Sequence, residues 1–250
     1  MIKPAYLLLL LALAAARPLK AQLYLGVEGG WNKNHLTTGN ASQSFTDYKD
    51  RSGFLAGIPV LYRIRDWLAV QADPSYLQKN YRIERTGFFN GVYQNNTNGY
   101  LQLPLMAQLS FGGRQLRGFV NLGGYGAYWL SAHVRGTEPS VLNPVDTAYQ
   151  TVNPVSVYGE NYPYSYDEKY SFDSRRDRRM EWGVLAGLGI SYEWKATWLF
   201  FVEGRYTRAL TDQQKAYQLN QTPRYNDTYG LLAGCLFRLN RFIGHSISKK

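Results

Sequence analysis

Apolar and polar side chains alternate along the chain in segments of about ten residues, which are separated by polar breaks. A period of two residues is typical of a β-strand with one apolar and one polar face. Eight segments show this pattern, at residues 22–31, 53–62, 67–78, 100–111, 116–134, 181–194, 198–207 and 228–239. The last of them is ambiguous in facing. The pattern predicts eight β-strands and an all-β fold.

The breaks between these segments alternate in length. Long breaks at residues 32–50, 81–98, 135–179 and 208–224 alternate with short ones at 63–66, 112–115 and 195–197. Short turns at one end and long loops at the other are typical of outer-membrane barrels. We therefore expect an eight-stranded antiparallel up-and-down transmembrane β-barrel over residues 22–240, with a long outer loop at 135–179. A periplasmic tail would follow at 241–250.

The composition of the two strand faces favours a membrane barrel over a secreted β-sandwich or lipocalin-like barrel. The apolar faces end in Trp or Tyr, as expected of aromatic girdles at membrane interfaces, whereas the polar faces carry mainly Gly, Ser, Gln, Asn and Glu. Three prolines, Pro59, Pro74 and Pro104, fall inside predicted strands, where each removes a ladder donor. They are interpreted as bulges.

The first 21 residues resemble a secretory signal peptide. Lys3 precedes an apolar stretch at 6–16, and Ala21 supplies the small residue before a cleavage site, with cleavage after Ala16 as the alternative. The single cysteine, Cys235, lies near the other end, so neither site leaves a cysteine for lipid attachment. Residues 1–21 are expected to direct export, and the predicted barrel places the exported chain in the bacterial outer membrane.

Charge and composition limit the classes of partner and ligand that the exported chain is expected to bind. Without the leader, 25 basic residues stand against 18 acidic ones, a net charge of +7. In an exported protein this balance favours lipid and lipopolysaccharide phosphates or anionic glycans over nucleic acid, for which no motif is present. Three histidines and one cysteine give no basis for a metal site, and no cofactor is expected.

A barrel of eight strands has an interior that side chains fill, so an open aqueous pore is not expected. Charged residues on the predicted inner faces need partners or water. The candidates for such a lumen charge network are Glu28, Glu181, Glu193, Glu203 and Arg205. We interpret them as structural, with Arg205 paired to Glu203 or Glu28; a proton- or ion-conducting file is the alternative.

The long outer loop combines tyrosines with a basic cluster. Tyrosine offers contact area at low entropic cost, and arginine binds phosphate bidentately. The predicted surface patch consists of Tyr162, Tyr164, Tyr166, Tyr170, Arg175, Arg176, Arg178 and Arg179. It fits a surface protein partner, a glycan or a lipopolysaccharide phosphate; the alternative is a solvated loop with arginines at headgroup level.

One set of residues raises the possibility of catalysis. Ser131 and His133 are predicted to share the lumen-facing side of the fifth strand, and Glu138 follows. A lipid A deacylase-like enzyme of the outer leaflet needs a Ser-His-acid set at this depth. Ordinary polar residues at a strand end explain the same pattern, so we expect no catalytic activity and hold the lipid-modifying enzyme as the alternative.

Several motifs, in this order, resemble the PorT-like outer-membrane barrels, also called porin-family proteins. They are WLAVQADPSYLQK (67–79), YLQLPL (100–105), the glycine-rich stretch 118–130, WG with GLG (182–183, 187–189), and FVEGRY before LTD (201–206, 210–212). The resemblance covers most of the exported chain. It implies an outer-membrane barrel with a structural, adhesive or secretion-accessory role, because PorT itself is tied to the type IX secretion apparatus.

Overall fold

The computed structural model describes residues 22–39, 45–87, 91–139, 163–217, 219 and 221–239. The predicted signal peptide at 1–21, the tail at 241–250 and Tyr162 lie outside these residues. Within the described part of the chain, no helix is long and apolar enough to cross a membrane.

The described residues form twelve β-strands, all in one antiparallel sheet. The strands are β1 (Gln22–Thr38), β2 (Thr46–Gly57), β3 (Val60–Arg65), β4 (Leu68–Ala72), β5 (Ser75–Gln78), β6 (Tyr81–Arg85), β7 (Tyr93–Gly112), β8 (Leu116–Pro139), β9 (Pro163–Lys169), β10 (Met180–Trp194), β11 (Trp198–Ala209) and β12 (Arg224–Arg238). The all-β prediction is confirmed, whereas the predicted count of eight strands is not.

The sheet closes on itself. From β7 the hydrogen-bonded neighbours are β4, β3, β1, β12, β11, β10 and β8, and β8 pairs again with β7. β1 also pairs with β2, and β7 with β5 and β6, so β2, β5 and β6 extend this ring toward one end. Closure leaves no open edge along the ring, which is what a barrel needs in lipid.

Two of the three prolines explain much of the difference in strand number. Pro59 lies in the gap between β2 and β3, and Pro74 in the gap between β4 and β5. Their carbonyl oxygens still accept hydrogen bonds from neighbouring segments, at 3.0 Å from the backbone N–H of Gly26 and of Ile58 respectively. Pro104 stays within β7, and its carbonyl accepts from the Asp73 N–H at 3.3 Å. Pro59 and Pro74 thus interrupt the strands without separating the segments, whereas Pro104 does not interrupt its strand. The register shifts of these ladders lie elsewhere, between Arg63 and Arg65 and between Gly99 and Tyr100.

Strands reach further toward the long-loop end than the pattern predicted. β1 and β7 extend into predicted breaks, and β8 continues to Pro139. Residues 135–179, predicted to be one outer loop, include the end of β8 and all of β9. The β8–β9 ladder, from His133↔Lys169 to Pro139↔Pro163, forms the extension.

The two faces of the ring differ as the alternation requires. Large apolar side chains such as Val27, Trp182, Leu188 and Phe200 point outward and are exposed, whereas small, polar and aromatic side chains fill the interior. Trp67, Trp194 and Trp198 mark one end of the exposed band, and Trp31 and Trp182 the other. This apolar band with aromatic ends is the lipid-facing surface of a membrane barrel.

Two apolar clusters lie inside the ring at different heights. The first, near the short-turn end, consists of Tyr24, Leu61, Ala69, Phe119, Leu199, Phe201 and Leu236. The second, near the long-loop end, consists of Leu55, Leu77, Tyr100, Met106, Tyr125, Ala127, Trp129, Ala132, Leu185 and Leu232. The buried charged side chains occupy the interior between and beside these clusters.

Candidate functional site

Arg205 on β11 lies at the centre of the first buried charge cluster. Its guanidinium donates to Glu203 through Nε at 2.9 Å and through Nη2 at 2.8 Å, and Nη2 also donates to Asp73 at 2.8 Å. Gln71 fixes Asp73 with hydrogen bonds of 2.9 and 3.0 Å. Glu28 completes this cluster, with its Oε1 at 4.0 Å from Arg205 Nη1. The Glu28, Asp73 and Glu203 side chains are 0% exposed.

This Arg205 cluster brings three carboxyl groups around one guanidinium. Both carboxyl oxygens of Glu28 are buried without a hydrogen-bond partner in the described part of the chain, as is Arg205 Nη1. A glycine makes room for the strongest pair, since a Cβ on Gly187 would lie 2.0 Å from Glu203 Oε1. The close approach of Glu203 to the β10 backbone therefore depends on that glycine.

Lys79, between β5 and β6, is the centre of a second buried cluster. Its ammonium group contacts Glu181 Oε1 and lies 4.7 Å from the ring centroid of Tyr125 and 5.1 Å from that of Tyr100. The Tyr125 hydroxyl donates to Glu181 Oε1 at 2.8 Å, and the Asn226 amide donates to Oε2 at 2.7 Å. The Lys79 side chain is 0% exposed. This Lys79 cluster is charge-balanced and fully hydrogen-bonded at its carboxylate.

The predicted lumen network therefore divides into three places. Glu28, Glu203 and Arg205 come together, and Glu181 belongs to the Lys79 cluster. Glu193 lies at the short-turn end, where it pairs with Arg63 at 3.0 Å. The five residues therefore do not form one continuous network.

Sequence analysis missed Asp73 and Lys79, which supply a carboxylate and the second buried cation. Both continue the inward alternation of Gln71, Ser75 and Leu77, all of which are buried. The position of Lys79 in that alternation was a usable signal. Its partner Glu181 is 102 residues away, so the pairing itself was not predictable.

A cap formed by residues 170–179 and 210–216 covers the outer end of the interior. Tyr170 and Phe172 pack onto the second apolar cluster, with Phe172 edge-on to Trp129 at 5.0 Å between ring centroids. Asp177 pairs with Gln214 in an isolated bridge, which joins the two segments. The amide of Gln213 reaches inward and donates to the Tyr100 hydroxyl at 3.1 Å.

Tyr170 is held in the cap by two charged side chains. Its hydroxyl donates to Asp177 at 3.0 Å and accepts from Arg176 Nη2 at 2.6 Å. Burial, and next the Asp177 carboxylate, raises the pKa of the Tyr170 phenol. The hydrogen bond to Tyr170 raises the pKa of Arg176. This arrangement is structural, because both groups already have partners.

The predicted patch of tyrosines and arginines is only partly a free surface. Tyr170, Arg176 and Arg179 are engaged in the cap, where Arg179 donates to the carbonyl of Trp129 at 3.0 Å and covers the Phe172 ring. Arg175 is exposed and Arg178 half-buried. Tyr166 reaches Gln94 at 3.4 Å. Tyr164 belongs to β9, but its side chain lies outside the described part of the structure. Tyr162 lies outside it altogether.

The prediction that His133 faces the lumen is wrong. In the β7–β8 ladder, Gly99 pairs with Ser131 and the next residue, Tyr100, pairs with Trp129. Leu130 is therefore an extra residue in β8. This bulge reverses the alternation: Ala132 and Val134 point inward, and the His133 side chain is 53% exposed. His133 contacts Asp167 of β9.

No group of three or more His, Cys, Asp and Glu side chains among the described residues has the arrangement to hold a metal ion.

Comparison with known proteins identifies the family. Residues 16–214 match the family described as "Outer membrane protein beta-barrel domain". No curated protein sequence matches the chain.

Solved structures that resemble the chain include three outer-membrane and surface proteins. OprG from Pseudomonas aeruginosa has 14% identity and a TM-score of 0.46, with 87% of this chain and 96% of that chain covered. Neisserial surface protein A has 12% identity and a TM-score of 0.41, with 88% of this chain and 99% of that chain covered. Ail of Yersinia pestis, in complex with the heparin analogue sucrose octasulfate, has 12% identity and a TM-score of 0.37, with coverage of 86% and 99%.

Proposed function

Because the chain belongs to the outer membrane protein β-barrel domain family and lies in the bacterial outer membrane, we propose that it is a sealed, non-catalytic barrel that acts through its outer surface. Its role in this proposal is structural, adhesive or secretion-accessory, and no solute passes through its interior.

The filled interior is the observation that carries the proposal. The Arg205 cluster and the Lys79 cluster occupy successive heights, with an apolar cluster near each end and the cap above them. Their side chains are buried, and most of them are joined by ion pairs or hydrogen bonds, which leaves little room for hydrated ions. Narrow barrels of this kind are typically filled by side chains.

Conductance across planar lipid bilayers tests the sealed interior. We expect purified protein to give no sustained steps, whereas a general porin inserted in the same bilayers gives large ohmic ones. A steady ohmic conductance of porin size from this protein would overturn the proposal.

The finer architecture belongs to the same proposal. We count eight barrel strands. β2 and β3 form one, interrupted at Pro59, and β4, β5 and β6 form another, interrupted at Pro74 and at residues 79–80. β9 and β10, which both pair with β8, form a third that residues 170–179 interrupt. Such an eight-stranded barrel agrees with the PorT-like resemblance, which suggests a secretion-system or surface protein as partner. Cross-linking in native outer membrane followed by partner identification tests this role; recovery of the barrel alone would count against it.

A lipid-modifying enzyme is the second candidate. The contact between His133 and Asp167 on the outer wall favours it, because such a pair could activate a nucleophile and Ser131 lies two residues before His133 in β8. We expect no fatty acid release from lipopolysaccharide by the purified protein. Release that disappears in Ser131→Ala would replace our proposal with this one.

A further inference from the structure

A shallow apolar groove of about 760 Å³ runs along the outer wall formed by β7, β8 and β10. Its sides are Leu101 and Leu103 of β7 and Trp182 of β10, all about half exposed. Its floor is low because Gly124 and Gly126 of β8 carry no side chain. A Cβ on Gly126 would lie only 2.8 Å from the ring of Trp182. The residues that line the groove are mainly apolar, which suits acyl chains.

A polar pocket of about 390 Å³ lies on the same wall, nearer the long-loop end. Arg51 and Arg135 line it together with His133, Thr97 and a single carboxylate, Asp167. The Arg135 side chain is 70% exposed and lies 3.8 Å from Asp167. Two guanidinium groups and an imidazole thus face one carboxylate, so the pocket favours an anion.

Arg51 is the cation in this pocket that lacks a counter-charge. Its Nη1 lies 3.4 Å from the Asn96 carbonyl and 3.4 Å from Thr97 Oγ1, which are long contacts with neutral groups. No carboxylate of the described residues comes within ion-pair distance of it. A phosphate would supply the missing charge and accept from the guanidinium bidentately.

The two sites are arranged one above the other. Thr97 of the pocket and Leu101 of the groove are four residues apart on β7, roughly 13 Å at a strand rise of about 3.3 Å per residue. Arg179 lies beside the upper end of the groove, with its guanidinium 4.5 Å from the centroid of the Tyr128 ring, which lines the groove. The wall is therefore apolar at membrane depth and basic immediately outside it.

We propose that this wall binds one phosphorylated glycolipid of the outer leaflet, the lipid A part of lipopolysaccharide, with acyl chains in the groove and a phosphate on Arg51 and Arg135. Charge complementarity selects this occupant, because a neutral lipid would leave Arg51 without a counter-charge. The inference rests on the proposed outer-surface function and gives that surface a ligand.

Native mass spectrometry of the full chain in detergent micelles tests the binding. The protein is equilibrated with bisphosphorylated lipid A, with dephosphorylated lipid A that has the same acyl chains, and with inorganic phosphate. We expect bisphosphorylated lipid A to bind at least about tenfold more tightly than dephosphorylated lipid A, since the free energy of hydrogen bonds to a charged group corresponds to that ratio of affinities. Inorganic phosphate alone should compete only weakly.

Variants separate the two parts of the site. Arg51→Gln with Arg135→Gln should weaken lipid A binding roughly tenfold or more, whereas Lys33→Gln with Arg208→Gln, which remove the same charge from β1 and β11, should not. Leu103→Trp should fill the groove and weaken binding, whereas Val27→Trp on β1 should not. Unfolding midpoints verify that all four variants fold.

Equal binding of phosphorylated and dephosphorylated lipid A, or equal loss in both double variants, would overturn the proposal. Loss with the arginine pair but not with Leu103→Trp would also overturn it, because the ligand would then be a phosphate without seated acyl chains. None of these measurements depends on conductance, so the results for the lipid site and for the sealed interior can be distinguished from each other.

Discussion

Arg205 and Glu203 stand two residues apart on β11 and form a bidentate ion pair inside the ring, while the same guanidinium reaches Asp73 near the β4–β5 break. One side chain thereby joins opposite sides of the interior. Arg205→Leu should lower the free energy of unfolding by about 3–5 kcal/mol, because it leaves uncompensated buried carboxylates. Unfolding in detergent measures this, with the exposed Arg208→Leu of the same strand as control. Equal midpoints for the two variants would contradict the assignment.

The carboxyl groups around Arg205 should not be equivalent. Glu28 makes no hydrogen bond within the described residues, whereas Glu203 makes two with Arg205. Glu28→Gln should therefore leave the free energy of unfolding unchanged or raise it, because Glu28 has no hydrogen bond to lose, and Glu203→Gln should lower it by about 1–3 kcal/mol. Chemical unfolding of both variants in the same detergent compares them; a larger loss in Glu28→Gln would be the wrong order.

The Lys79 cluster predicts coupling between two residues far apart in sequence. Lys79→Met should destabilise the barrel by roughly 3–5 kcal/mol, because Glu181 remains buried without its cation. Lys79→Met with Glu181→Leu should recover part of that loss, since no unpaired charge remains. A double-mutant cycle on unfolding free energies measures the coupling, and strict additivity would show that the two groups do not interact.

The cap should protect its own arginines from protease. Phe172 packs against Trp129 and lies under the Arg179 guanidinium, at 4.3 Å from the ring centroid. Phe172→Ala should lower the local stability of the cap by roughly 1–3 kcal/mol and speed trypsin cleavage at 175–179 severalfold. Tyr217→Ala, at an exposed tyrosine, is the control. Unchanged cleavage rates in Phe172→Ala would mean that the cap is held by other contacts.

The orientation in the membrane is testable by labelling. In a Cys235→Ala background, Ser174→Cys in the cap should react with a membrane-impermeant maleimide on intact cells, and Asp66→Cys in a short turn should react only after lysis. Both positions are exposed. The reverse pattern would invert the topology.

Much of the wall could be predicted from sequence, because the direction of a side chain in a strand is a local property of the pleat. Alternation alone predicts that Val27, Trp182 and Phe200 share the apolar face of their segments and that Glu203 and Arg205 lie on the polar face, and the structure has the first three exposed and the other two buried. Local alternation fails where a residue is inserted. His133 was placed on the wrong face, since only the pairing of β7 with β8 reveals the extra residue at Leu130.

The sequence by itself therefore determined the all-β class, the apolar band and the inward position of most buried charges. Only the tertiary structure decided which charges meet. Asp73 and Arg205 are 132 residues apart, and Lys79 and Glu181 are 102 apart. Their contacts arise because ring closure sets the register and brings distant strands across a narrow interior, and no pattern along a single strand carries that information.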